Sequence, residues 1–208
     1  MAPPPYSRSG RRLLVHASPA SAKAVLRLEL RALRKRLAAD AHGAAERAAE
    51  ILPAHRLGAF SIVAGYRPQG SELDPWPVMR RLAEAGARLA LPVAADRDSP
   101  LTFRAYASGD LLAPDAFRIA SPTAAAALVE PDLVIAPLLA FDRRGWRMGQ
   151  GAGCYDRTLA TLRARKAVFV LGLAYAGQEV ARIPCEAHDQ PLDAILTEKA
   201  YIEAQKDL

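Results

Sequence analysis

Apolar positions recur along this chain with two alternating periods. Over residues 21–39, Val25, Leu28, Leu30, Leu33 and Leu37 return near helical spacing, while Lys23, Arg27, Arg31, Arg34, Lys35 and Arg36 fill much of the remainder. This predicts a strongly basic N-terminal helix. A second helix is predicted over residues 44–52, ending before Pro53. Short apolar runs then alternate with helical segments, and strands are predicted at 61–66, 88–92, 101–106, 133–138 and 167–174. Helices at 76–85, stopped by Gly86, and at 155–165 lie between them. This order predicts an α/β fold: one domain with a mostly parallel central sheet, helices on both faces and the basic helix in front. Ligands of such sheets gather beyond the carboxyl ends of the strands.

The chain has 208 residues, 51% of them apolar, which suits one compact domain with a proper core. Its 28 basic and 22 acidic side chains leave a formal charge of +6, with much of the excess before residue 40. A basic lobe of this kind attracts anions, among which nucleotides and nucleic acid both qualify. Cys154 and Cys185 are too few for a disulfide framework and imply a reducing compartment. The histidines (His16, His42, His55, His188) do not group with them at zinc-ligand spacing. No apolar run approaches the roughly 20 residues that cross a bilayer, so a soluble, cytoplasmic protein without a membrane partner is expected. Residues 1–20 lack acids and hold Arg8, Arg11, Arg12 and four prolines, which reads either as a disordered extension or as a leader for organelle import. The folded domain is expected over residues 21–208.

The strongest chemical signal is the segment PLLAFDRRGWRMGQGAGCY at 137–155. An apolar run ends in a charged corner and then in Gly149, Gly151 and Gly153 at alternate positions. Such glycines admit positive φ and let the backbone approach a phosphate, the following helix presents its positive end, and Arg147 is a bidentate donor. Asp156, in the first helical turn, could hold Mg²⁺ together with phosphate oxygens. The spacing matches neither a Walker A loop nor GxGxxG, and by spacing alone it also reads as a glycine-rich turn with Asp156 an ordinary helix-start residue. A second loop, RPQGSELD at 67–74, offers Glu72 to substrate N–H donors, or leaves it merely solvated, with Asp74 capping the next helix. In a third, at 183–193, Asp189 is a candidate second metal carboxylate, and His188 a weaker candidate base. Cys154 reads as a small buried filler rather than a nucleophile. Lys23 and Arg27, one turn apart, can reach phosphates together.

Four segments in order, Lys23-Ala-Val-Leu-Arg27, GYRPQGSELDP, LLAFDRRGWRMGQGAGCYDR and IPCEAHDQPLDAILTE, make the chain resemble the 5-formyltetrahydrofolate cyclo-ligase (methenyltetrahydrofolate synthetase) family over about residues 21–202. The resemblance implies an α/β sandwich and an enzyme that joins 5-formyltetrahydrofolate and Mg-ATP to give 5,10-methenyltetrahydrofolate, ADP and phosphate through a phosphorylated formyl group. Residue by residue, it implies that Lys23 and Arg27 contact ATP. Arg147, Met148, Gly149, Gln150, Gly151, Ala152, Gly153, Cys154 and Tyr155 would wrap the phosphates, with Gln150 and Tyr155 also meeting the folate. Arg67 and Glu72 would line the folate pocket, Asp156 and Asp189 would serve Mg²⁺, and Arg147 would neutralise charge during transfer. The partners implied are ATP and the folate, with no nucleic acid, and the chain is expected to be a monomer. Cys154 departs from the aromatic residue that the family often carries at its place. A non-catalytic nucleotide- or RNA-binding module is the competing reading, but residues 21–40 hold no aromatic side chain to stack on bases. A phosphoryl-transfer enzyme of the same superfamily acting on another small amide is a third.

Overall fold

A computed structural model describes residues 19–56 and 58–205. Helix α1 (Pro19–Asp40) and α2 (Ala44–Ile51) lead into a sheet whose strands and helices then alternate. They are β1 (Ile62–Ala64), α3 (Trp76–Glu84), β2 (Arg88–Val93), β3 (Thr102–Ala105), β4 (Leu112–Pro114), β5 (Ala120–Pro122), β6 (Leu133–Pro137), β7 (Ala140–Phe141), β8 (Arg147–Met148), α4 (Cys154–Arg163), β9 (Phe169–Leu173), β10 (Ala194–Leu196) and β11 (Tyr201–Glu203). The 7-stranded sheet runs β11-β10-β9-β6-β1-β2-β3. Its interior pairings, from β10 to β2, are all parallel, and the two edge strands β3 and β11 are antiparallel. The mostly parallel sheet expected from the sequence is therefore present.

Strand alternation divides the core. Val63, Leu133, Ile135, Leu171 and Leu173 face α2 and α3, where Ala44, Ala48 and Ala49 meet Val78, Met79 and Leu82. Ala64, Val134, Ala136 and Val170 face the opposite way, onto Leu159 and Leu162 of α4. Helices thus cover both faces, and the unbroken apolar run of β6 is what a strand covered on both sides requires. Helix α1 is held by a smaller cluster in which Leu30 packs with Leu139, Ala140, Met148 and Ile183. That cluster fixes the basic helix beside the carboxyl end of β6. Among the described residues no helix is long and apolar enough to cross a membrane.

The expected elements exist; most ends are trimmed by a residue or two, while α1, β2 and the start of α4 run slightly past their expected bounds. The strand expected at 61–66 is regular only over Ile62–Ala64, although Ser61 O and Gly65 N still bond to Arg88 N and Ala90 O of β2 at its two ends. The one expected at 167–174 pairs over Phe169–Leu173. Six strands escaped the pattern reading: β4, β5, β7, β8, β10 and β11 are two or three residues long, too short to show alternation. Their pairing partners, not their own propensities, define them. The expectations for residues 1–18 fall outside the described residues.

Candidate active site

Beyond β6 the chain folds into the β7–β8 hairpin, whose turn is organised by Asp142, 1% exposed. Asp142 Oδ1 accepts from the N–H groups of Arg144 (3.0 Å) and Trp146 (3.2 Å), and Oδ2 accepts from Ile183 N (2.9 Å) and from the Arg144 guanidinium (2.7 Å). The hairpin delivers Arg147 and Met148 directly into the glycine segment, which ends at Gly153, the residue before α4. Gly151 (φ +107°) and Gly153 (φ +68°) occupy the left-handed region, where an L side chain is strained. Gly149 does not, so only two of the three glycines are required by backbone conformation. The backbone N–H groups of residues 149–153 donate to no described residue. That leaves a row of donors at the start of a helix, the arrangement that suits phosphate.

Two cavities meet at this loop. One, of about 290 Å³, is walled largely by apolar groups including Tyr66, Pro92, Leu101, Phe117, Leu138 and Tyr155. The other, of about 270 Å³, is polar and carries Lys23, Arg27, Arg147, Glu186, His188 and Asp189. Gly151, Gly153 and Asp156 line both. Every site residue expected from the sequence borders one or the other. Lys23, Arg27, Arg147, Met148, Gly149 and Asp189 border the polar cavity; Arg67, Glu72, Gln150, Ala152, Cys154 and Tyr155 border the apolar one.

Arg147 is tightly held, with a side chain only 5% exposed. Its guanidinium donates to Asp156 Oδ1 at 2.7 Å and to the carbonyl of Gln190. Asp156 Oδ1 also accepts from Gln190 N at 3.0 Å, while its Oδ2 accepts nothing from the described residues. Asp189 Oδ2 accepts from Glu186 N at 2.7 Å, which shapes the loop at 184–189. Asp156 and Asp189 border one cavity, Asp156 with an oxygen to spare, and such a pair fits Mg²⁺, which prefers one or two carboxylates plus phosphate oxygens. No group of three His, Cys, Asp or Glu side chains among the described residues could hold a metal alone, so water and phosphate oxygens would complete the shell.

Helix α1 lays a row of cations along the same loop. Lys23 pairs with Glu186, whose carboxyl is held below the ordinary range first by the hydrogen bond from Lys23 and then by its charge. Arg27 Nε donates to Gly149 O at 3.2 Å. Arg31, which the sequence reading did not single out, donates to Gln150 Oε1 at 2.8 Å and Gln150 O at 3.2 Å. Arg34, also missed, reaches Ser71 and Glu72 at the apolar cavity. The signal was present: continuing the Lys23 to Arg27 step by four and then three residues lands on both.

In the apolar cavity, the Tyr66 and Tyr155 hydroxyls are pushed well above the usual tyrosine range, first by burial and then by the charge of Glu72, so both stay protonated. Phe117 and Ile119 come from the β4–β5 hairpin, where Asp115 Oδ1 accepts from Phe117 N (2.9 Å) and Ile119 N (3.0 Å). Neither was visible as a site residue in the sequence, because that hairpin carries no alternating pattern. Asp74 accepts from Trp76 N at 2.9 Å just ahead of α3, but the cap position expected for it falls on Pro75, whose side chain can neither donate nor accept. Cys154 is buried, with Sγ 3.8 Å from Arg97 O, and burial pushes its thiol up. His188 Nε2 approaches Asp189 Oδ1 at 3.7 Å and is 72% exposed.

The family model described as the 5-formyltetrahydrofolate cyclo-ligase family matches residues 19–198. A protein named 5-formyltetrahydrofolate cyclo-ligase from Mycolicibacterium smegmatis is 36% identical over 150 residues, covering 68% of this chain and 76% of the relative. One of the same name from Escherichia coli K12 is 35% identical over 152 residues, covering 71% and 80%. Among solved structures, the 5,10-methenyltetrahydrofolate synthetase of Aquifex aeolicus superposes with a TM-score of 0.69 at 26% identity, covering 89% of this chain and 94% of that one.

Proposed function

The chain belongs to the 5-formyltetrahydrofolate cyclo-ligase family, and on that premise we propose that it converts 5-formyltetrahydrofolate and ATP into 5,10-methenyltetrahydrofolate, ADP and phosphate. The observation that carries this reading is the junction of the cavities: an apolar pocket of a size to take a flat heterocycle and a cation-lined pocket share Gly151, Gly153 and Asp156 as their common wall. A formyl oxygen entering from one side and a γ-phosphoryl from the other meet at that wall.

An amide-like formyl oxygen is a poor leaving group. In the proposed sequence it attacks the γ-phosphorus, the P–O bond to ADP breaks, and the formyl carbon becomes an N5-iminium phosphate. N10 then attacks that carbon, loses its proton, and the C–O bond breaks to release phosphate and leave the methenyl bridge. The chain's part is positioning and charge neutralisation. Arg147, fixed by Asp156 and Gln190, holds its charge at the polar side of the wall, and the N–H groups of residues 149–153, which donate to no described residue, would meet the charge that develops on phosphate. Lys23 and Arg27 face the remaining phosphates. Asp156 and Asp189 are the residues that would hold Mg²⁺, which when bound offsets charge on the phosphate oxygens. No protein nucleophile enters, in keeping with a Cys154 thiol kept protonated by burial.

The basic helix supports this reading over an RNA-binding one. Lys23, Arg27, Arg31 and Arg34 are turned onto the cavities and the glycine loop, not outward as a stripe. The test is an ATPase assay on the purified chain with Mg²⁺, run with and without 5-formyltetrahydrofolate and followed by phosphate release and methenyl absorbance. Matched appearance of the two supports the reading. Phosphate release indifferent to the folate contradicts it.

A further inference from the structure

Arg34 sits on α1 with 5% of its surface exposed and, unlike Arg27 and Arg31, turns from the glycine loop onto Glu72, which lines the other cavity. Its Nε donates to Ser71 Oγ at 3.2 Å, and its Nη1 donates to Glu72 Oε1 at 3.2 Å and to Leu138 O at 3.3 Å. The Leu138 carbonyl is itself fixed, since it also accepts from Gln178 Nε2 at 3.0 Å, and Gln178 is 1% exposed with its Oε1 held by Tyr175 N at 2.8 Å. Arg34 is thereby anchored to the carboxyl end of the sheet before it touches Glu72.

The Glu72 side chain is 6% exposed and lines the apolar cavity. Its Oε2 accepts from Gln69 N at 2.9 Å and its Oε1 from Arg34, so each oxygen has one protein donor. A carboxylate accepts about four hydrogen bonds, which leaves acceptor capacity toward the cavity. A charge buried among Tyr66, Leu138 and Tyr155 is costly unless paired, and Arg34 is its ion-pair partner. Arg67, nearby in the same loop, is exposed and lies on the rim.

We propose that Arg34 is a positioning residue for folate recognition: it holds the Glu72 carboxylate aimed so that its remaining lone pairs meet N–H donors of the folate ring. The inference rests on the folate reading of the apolar cavity. It also gives α1 a double role, with Lys23 and Arg27 at the phosphate side and Arg34 at the heterocycle side of one rigid helix.

The test uses Arg34→Met, Arg34→Lys, Glu72→Gln and the double variant Arg34→Met/Glu72→Gln, with separate KM values for folate and ATP and a thermal midpoint for each. Arg34→Met alone leaves a lone buried carboxylate and is the variant most at risk of misfolding; the double variant removes both charges and Arg34→Lys retains the pair's charge. The expected result is a folate KM raised by about tenfold or more in Arg34→Met and Glu72→Gln, and a smaller rise in Arg34→Lys. The ATP KM should stay within about twofold. The double variant should have the folate KM of Glu72→Gln alone, because once the carboxylate is gone Arg34 has nothing left to position, while its thermal midpoint recovers above that of Arg34→Met. Multiplying effects in the double variant, equal rises in both KM values, or an unchanged folate KM in the Arg34 variants would overturn the inference. Wild-type protein without folate-dependent turnover would instead reject the functional reading beneath it.

Discussion

Arg147 and Asp156, nine residues apart in sequence, meet at 2.7 Å on the wall shared by the two cavities, and Gln190 ties both of them down through its carbonyl and its N–H. The pair converts a flexible arginine into a fixed charge. It also leaves Asp156 with a second oxygen toward the polar cavity.

From this fixity, Arg147→Ala should lower kcat by about two to three orders of magnitude, the scale of ~3–4 kcal/mol for a lost charge-stabilising donor. Arg147→Lys should fall between, since a single ammonium cannot reproduce the planar fork. Steady-state kinetics on folded variants checks both, and near-normal turnover in Arg147→Ala would remove it from the mechanism.

Asp156→Asn and Asp189→Asn should each shift the Mg²⁺ titration of activity to higher concentration. The larger shift is expected for Asp156, which borders both cavities while Asp189 borders one. A titration unmoved by either change would mean that the metal is held elsewhere.

Gly153→Ala should cost stability while Gly149→Ala should not. At Gly153 the φ of +68° is strained for an L residue, and an added Cβ would stand 2.9 Å from Arg157 Nη1. The expected loss is about 1–2 kcal/mol. At Gly149 an added Cβ meets nothing within 4 Å, so the change should stay within about 0.5 kcal/mol. Urea denaturation of the two variants makes the comparison; equal losses would contradict the assigned backbone geometry.

Cys154→Ala should retain turnover, because the thiol is buried, its titration is pushed up and no step uses it. Iodoacetamide should label the exposed Cys185 well before Cys154, as read by peptide mass mapping. Loss of activity in Cys154→Ala with a normal thermal midpoint would require a nucleophilic role.

Asp132 carries a pH dependence. Burial pushes its carboxyl up, but hydrogen bonds from Lys166, Ile62 N and Ser61 N together outweigh that and hold it below the ordinary 3.8. Stability contributed by a depressed carboxyl is fully present above the ordinary value and drains away as pH falls through the lower folded value. Asp132→Asn should therefore destabilise the protein at neutral pH, and the gap to wild type should close below about pH 3.8. A gap that stays constant with pH would show that Asp132 acts through its shape alone.

Much of this architecture could be read from periodicity. The helix at α1, the apolar run of β6 and the glycines at 149–153 are local signals, and local signals survive in a single sequence. What could not be read depends on distant partners. The strands β10 and β11 are three residues each and exist because β9 offers an edge in register to β10, and β10 in turn to β11. Phe117 reaches the apolar cavity because Asp115 gathers the N–H groups of its own turn, and Arg34 differs from its basic neighbours on α1 only in what the fold places beside it. A row of arginines on a helix looks alike until tertiary packing assigns each one a carbonyl, an amide or a carboxylate. The glycine segment carried the opposite risk: three look-alike positions, of which the backbone conformation needs two.

If the formyl oxygen, held at the wall between the cavities, attacks the γ-phosphorus of ATP, that oxygen must leave in the released phosphate. Substrate labelled with ¹⁸O in the formyl group, turned over in unlabelled water, tests it most directly by mass analysis of the phosphate released. The account predicts that the label appears in that phosphate, one ¹⁸O for each methenyl product formed. Phosphate free of ¹⁸O, with normal methenyl formation, would show that the oxygen leaves by another route and would contradict the account.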